Sequence, residues 1–329
     1  MASGRGAAAV SSQTTTQLIW ATQCGGPYLV HMRLSRVGAL AFLAACTVQT
    51  SRPTTTAFED ADGHPVVVAP LPVHRIVSTM QSATEWLVLM GESGRLVART
   101  DFDRQPEIAA LPSIGGGLDP SAEAVAALKP DIVIGWRNRA SADLQQALKP
   151  FHVPVLSFET TDTGDVFRNL ARLGVLVGHA PRADSLATAL RVRLGAIQRD
   201  ACPAGPKNAP TVLLVLWTDP PMTAGGGTWM TTLLETACLR NVFADLTTAW
   251  PTVSLESITA RQPEWILTSK GQPGQRLSEL QSKVGWRDLA AVKAGRVIEI
   301  PGDLFGRAGP TIADAAQAIV AARRAIDRR

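Results

Sequence analysis

Two stretches of the chain repeat each other, and the repeat dictates most of what can follow. Ser121-Ala-Glu-Ala-Val-Ala-Ala-Leu-Lys-Pro-Asp-Ile-Val-Ile134 returns 133 positions later as Ser254-Leu-Glu-Ser-Ile-Thr-Ala-Arg-Gln-Pro-Glu-Trp-Ile-Leu267. Ser, Glu, Ala and Pro recur at the same offsets, and apolar residues follow an acidic one in both copies. Each copy reads as a short helix, a proline that stops it, and a buried strand. Between the copies lies a helical run from about Thr163 to Arg199. Its first piece, Thr163–Val177, sets Val166, Phe167, Leu170, Leu173 and Val177 on one face, and Gly178 ends it. Pro181 opens a second piece, with Ala183, Leu186, Ala187, Leu190, Leu194 and Ile197 on one face. At about 1.5 Å per residue the second piece reaches nearly 30 Å, enough to cross between two lobes. The expected class is therefore α/β: one lobe over residues 58–180, a linking helix over 181–200, and a second lobe over 201–329.

The length suits that division, because single cores stop growing below 329 residues. The remaining elements fall into strand–helix alternation. Ala61-Asp-Gly63 before Val66-Val-Val68 predicts a hairpin. Strands are expected at Arg75–Thr79, Leu96–Ala98, Asp131–Gly135 and Val155–Phe158, with helices at Ser82–Met90 and Ser141–Lys149. Asp119-Pro120 reads as a helix cap with a first-turn proline. The second lobe restarts at Thr211–Trp217, continues through the repeat and Arg296–Ile300, and closes with a helix over Thr311–Ile326.

The N-terminal text is of another kind. Residues 1–31 carry no pattern. Met32-Arg-Leu-Ser-Arg36 is a short basic region, Val37–Ala45 a short apolar one, and Cys46 follows directly. The apolar run is too short to span a bilayer, and its flanks are those of a secretory signal over 32–45. Leu43-Ala-Ala-Cys46 resembles a bacterial lipobox, which makes Cys46 the expected lipidation site. Residues 46–57, rich in Thr, Ser and Pro, read as a tether. That places the mature chain outside the cytoplasm, held to a membrane.

Catalytic chemistry finds little support. His64, His74, His152 and His179 share no metal-ligand spacing, and no CxxC occurs, so no metal site is expected. The glycine runs at 115–117 and 225–227 fit neither phosphate-loop pattern, and no nucleophile elbow is present. A two-domain α/β enzyme remains the reading from another class. A net charge of +4 on scattered arginines does not make a nucleic-acid footprint. Cys202 and Cys238 are left either to bond in an oxidising compartment or to stand as two buried thiols. Tyr28 is the single tyrosine and lies in the leader, which removes a tyrosine-ligated haem. The aromatics Phe102, Trp136, Trp250 and Phe305 fall in loops at the carboxyl edges of strands. Such faces suit a large, partly apolar, planar ligand, with Arg137, Asp303 and Arg307 as polar contacts. Glu123 and Glu256 occupy one place in the two repeat copies, and are expected to present a matched acidic pair to a two-fold symmetric basic partner.

The residues resemble the solute-binding proteins of ABC importers for vitamin B12, ferric siderophores and haem. The motifs are Arg75-Ile-Val-Ser, the run Leu118–Arg137, Asp219-Pro-Pro-Met-Thr-Ala-Gly225, Trp250-Pro-Thr-Val-Ser-Leu-Glu256 and Asp303-Leu-Phe-Gly-Arg-Ala-Gly-Pro310. The last three look most like the vitamin B12 branch. The resemblance implies two Rossmann-like lobes on one rigid helix, the helical-backbone class III arrangement. It further implies a monomer that makes no covalent change to its ligand, cobalamin held in the cleft, and delivery to a permease–ATPase complex. Trp136, Trp250, Asp303, Phe305 and Arg307 match ligand-contacting positions, and Glu123 and Glu256 match glutamates that dock onto permease arginines. Met222 stands where the branch has Phe, and an aromatic sometimes found before the first repeat helix falls near Gly117. The N-terminal hairpin is more typical of the siderophore branch, so a ferric siderophore or haem is the alternative cargo.

Overall fold

The fold is carried by two parallel sheets, one built around each repeat copy. The computed structural model describes residues 54–117 and 119–328, so the leader, the signal segment and Cys46 lie outside the described residues. The described residues open on a hairpin of β1 (Thr54–Glu59) and β2 (Pro65–Leu71). The first strand starts inside the segment read as a tether, because Thr56 and Ala57 pair with Val68 and Val67. Asp60 shapes the turn: its Oδ1 accepts from the amides of Asp62 at 2.9 Å and His64 at 2.8 Å.

Lobe one then runs β3 (Ile76–Ser78), α1 (Gln81–Met90), α2 (Ala122–Ala127), β4 (Ile132–Trp136), α3 (Arg139–Leu148) and β5 (Val155–Phe158). Its three strands are parallel in the order β3-β4-β5. Ile132, Val133 and Ile134 are wholly buried, as a strand covered on both faces requires. The strand expected at Leu96–Ala98 is reduced to a bridge between Leu96 and Ile76, since Arg99 leaves to pair with Ser113. Ser121, and not Asp119, caps α2, its Oγ accepting from the amide of Ala124 at 3.2 Å.

Two helices follow, α4 (Thr163–Leu176) and α5 (Ala180–Ala201), divided at Gly178 with φ +75°. Pro181 lies in the first turn of α5, where its missing N–H costs nothing. Gly174 allows a tight crossing, because a Cβ there would stand 2.6 Å from the Cβ of Ala183. At the joint, buried Glu92 pairs with Arg95 and, when the imidazole is protonated, with His179, the N-cap of α5.

Lobe two holds β6 (Thr211–Leu214), β7 (Trp217–Thr218), β8 (Pro221–Met222), α6 (Trp229–Thr236), β9 (Arg240–Asn241), α7 (Leu255–Arg261) and β10 (Trp265–Lys270). It closes with α8 (Leu277–Ser282), α9 (Ala290–Lys293), β11 (Val297–Pro301), α10 (Gly302–Phe305) and α11 (Ile312–Asp327). Its parallel sheet has the order β11-β10-β6-β9. The single strand expected over Thr211–Trp217 ends at Leu214, after which Trp217–Thr218 turns back to pair with Pro221–Met222.

The repeat holds down to backbone detail. Ser254 caps α7 as Ser121 caps α2, and Lys129 and Gln262, 133 positions apart, both take φ +46° after their helices. The lobes are not merely tethered by α5. That helix packs on α4 on one side and on α6 and α11 on the other, and one apolar cluster runs from Phe58 to Val320 across both lobes. The amide of Trp229 in α6 donates to Thr161 O at 2.8 Å, a direct backbone link between them.

Cys202 and Cys238 are bonded, with Cα atoms 5.1 Å apart, which joins the end of α5 to the end of α6. A bridge spanning 36 positions removes conformations from the unfolded chain, a contribution of about 2–4 kcal/mol. Replacing both cysteines by alanine should lower the unfolding free energy in urea by that amount. An unchanged midpoint and slope would show that the bond adds nothing.

Candidate ligand-binding cleft

Lobe one presents its strand ends to one side, and the chain there is shaped for close approach. Gly117 sits where a Cβ would meet Thr79 O at 2.6 Å and the Trp136 ring at 3.0 Å. No aromatic fits at this position on this backbone, so the indole of Trp136 stands in the space beside it. Phe102 tops the neighbouring loop. Buried Asp103 accepts from the amide and hydroxyl of Thr100 at 2.7 and 2.9 Å, which leaves Phe102 at the loop's tip, 53% exposed. Asn138 caps α3 through its side-chain oxygen, 2.8 Å from the Ser141 amide.

Lobe two supplies the facing wall from Gln272, Gly302, Gly306 and Arg307. With Gln81, Phe102, Gly117, Trp136 and Asn138 they border an open hollow of about 640 Å³. The cleft is thus made by both lobes, and it brings together three of the expected ligand residues: Phe102, Trp136 and Arg307.

Arg307 does not stand free. Its Nη1 donates to Oε1 of Glu85 at 2.6 Å, an ion pair that crosses from lobe two to α1. Glu85 is buried, and its Oε2 has no hydrogen-bond partner. Burial pushes its carboxyl above the ordinary value; Arg307 opposes the shift, and the carboxylates of Asp103 and Asp303 add to it. The guanidinium therefore answers a small acidic cluster while also lining the cleft.

The other expected residues lie elsewhere. Arg137 is exposed and forked between Asp62 at 2.9 Å and Glu159 at 2.8 Å, with its own charge well accommodated. It borders a separate polar hollow with Asp60 and His64, because side chains alternate at a strand end and Trp136 takes the cleft side. Phe305 is 7% exposed and belongs to the core: the short α10 turns it inward while Gly302 and Gly306 face out. Asp303 is exposed on that same turn and stays outside the lining.

Met222 and Trp250 are exposed on lobe two, also outside the lining. Trp217 is the register partner of Met222, and Met222 bridges to Thr252, two residues after Trp250. Gln275 Nε2 donates to Leu216 O at 3.0 Å, which joins this apolar strip to the loop that carries Gln272. Trp217, like Gln81, Gln272 and Glu85, was not singled out in the sequence. Its signal was available, since it follows a buried apolar run as Trp136 does.

Glu123 and Glu256 are both exposed at the second helical position of α2 and α7. Ser121 Oγ lies 3.3 Å from Glu123 Oε2. For Glu256, its own amide and the Ser254 hydroxyl hold the carboxyl below the usual range.

A family profile described as periplasmic binding protein matches residues 76–304. A vitamin B12-binding protein from Photorhabdus laumondii is 30% identical over 261 residues, covering 79% of this chain and 90% of that protein. An uncharacterized ABC transporter substrate-binding lipoprotein from Bacillus subtilis is 28% identical over 258 residues, covering 77% and 81%. Among solved structures, a periplasmic heme binding protein from Pseudomonas aeruginosa is similar at a TM-score of 0.66 and 28% identity, over 76% of this chain and 92% of its own.

The raised carboxyl of Glu85 has a defined sign in stability. Its folded form keeps the proton to higher pH than the unfolded chain does, so its contribution is full below the ordinary carboxylate value and falls as pH rises through the raised one. The stability of the native protein relative to Glu85→Gln, taken from denaturation at stepped pH, should fall across that window. A difference that grows with pH would overturn the assignment.

Proposed function

The chain belongs to the periplasmic binding protein family, and we propose that it is the extracytoplasmic solute-binding component of an ABC importer, carrying cobalamin or a related corrinoid. The observation that carries this reading is a cleft made by two lobes, with Phe102 and Trp136 on one wall and Arg307 on the other. Flat aromatic faces stack on a planar macrocycle, and a guanidinium answers amide and phosphate oxygens at its rim. The vitamin B12-binding relative supports the choice of cargo, since it matches over 90% of its own length. Delivery runs through Glu123 and Glu256 onto basic groups of the permease. The lipoprotein name of the Bacillus subtilis relative supports an anchor at Cys46. The protein acts as a monomer and leaves its ligand chemically unchanged.

Haem or a ferric siderophore is the second reading, favoured by the likeness to the Pseudomonas aeruginosa heme binding protein. Against haem, the described residues that line the cleft include neither histidine nor tyrosine to ligate an iron.

Titration of the purified protein with cobalamin, haem and a ferric hydroxamate, followed in the visible spectrum, tests the assignment. Cobalamin should bind tightly, and Trp136→Ala should weaken it at least tenfold, about 1.4 kcal/mol. A spectral change with haem alone would replace the corrinoid reading, and an unchanged affinity in Trp136→Ala would remove the cleft from it.

A further inference from the structure

The repeat does not end at its strands. Phe151 and Val284 stand 133 positions apart, the same offset as the two glutamates, and both are large apolar side chains in water: 56% and 74% exposed. Each follows the helical segment after its lobe's repeat strand, and each precedes a residue with a left-handed backbone, His152 at φ +57° and Gly285 at φ +83°. In lobe one, Phe151 borders a groove of about 580 Å³ with Glu123, Ala126, Ala127, Pro130 and Val153. In lobe two, a Cβ on Gly285 would lie 2.6 Å from Leu255, the residue before Glu256. Phe151 and Glu123 thus border one groove, and in lobe two the segment that carries Val284 packs against the start of α7, which carries Glu256.

An exposed aromatic or branched aliphatic residue loses favourable burial for as long as it faces water. One such residue is ordinary, but two at matched positions, on segments that lie against the two matched glutamate helices, point to a common partner. We propose that Phe151 and Val284 are the apolar halves of a duplicated docking surface, each paired with Glu123 or Glu256. The surface fits a two-fold symmetric membrane protein that offers, twice, a basic side chain next to an apolar one. In that arrangement the charges steer the encounter, while the apolar contacts slow its dissociation. The inference rests on the docking role proposed for the two glutamates.

The test is uptake by cells in which the native gene is replaced by variants, with labelled cobalamin, haem and a ferric hydroxamate supplied in turn. Phe151→Ser plus Val284→Ser should cut uptake of the transported probe at least tenfold and leave its binding to purified protein unchanged. Glu123→Ala plus Glu256→Ala should do the same, and the added dependence on salt should be lost only in the glutamate pair. Wild-type uptake by the Ser variant, with the glutamate variant inactive, would overturn this inference and leave the docking reading standing. Normal uptake by both variants, or by cells lacking the gene for all three probes, would remove the docking reading and the inference together. Weakened binding in the Ser variant would return both residues to the fold and also overturn it.

Discussion

Everything in this molecule hangs on the crossing helix and what it touches on each side. α5 is 22 residues long and unbroken, about 33 Å of helix. Its buried positions, Ala183, Ala187, Leu190, Ile197 and Ala201, are mostly small. Small residues let α4, α6 and α11 come close, so elements of both lobes pack on the helix along its length. The Glu92 cluster holds its first turn and the Cys202–Cys238 bond its last. Two sheets that each obey the repeat are thereby set at one mutual position, and the cleft between them is a consequence.

That packing explains what the sequence could and could not disclose. The repeat was legible because it is local chemistry: a serine cap, a glutamate in the first turn, a proline, and a buried apolar run. The break at Gly178 was legible for the same reason. Arg137 was not, since its orientation is decided by Asp62 and Glu159, one of them on a hairpin whose docking no local pattern announces. Phe305 misled because a loop aromatic near a glycine looks like a cleft residue, whereas a single turn of helix rotates it into the core. Glu85 was invisible. A glutamate on an amphipathic helix reads as solvent-facing until a partner 222 positions away supplies a guanidinium.

The Glu85–Arg307 pair also shows how polar groups were placed in the cleft. A buried ion pair returns little net stability, because desolvation of two charges offsets most of their attraction. What it does provide is a fixed position. Arg307 is held by one carboxylate from the opposite lobe, with Asp103 and Asp303 close enough to add negative potential. A guanidinium oriented in this way can offer a ligand hydrogen bonds of fixed geometry as well as charge.

A clamped scaffold shifts the problem from capture to release. If the lobes cannot close, the ligand binds to a cleft that exists before it arrives, and little conformational free energy is taken from its affinity. On such a scaffold, loading would leave the outer face little changed. A partner then gains by gripping both lobes at once and straining the α4–α5–α6 contacts, because only an interaction that differs between the bound and released states can move that equilibrium. If Glu123 and Glu256 are the contact points, as proposed, a spacing set by the packing of α5 is something a two-fold partner can pull against.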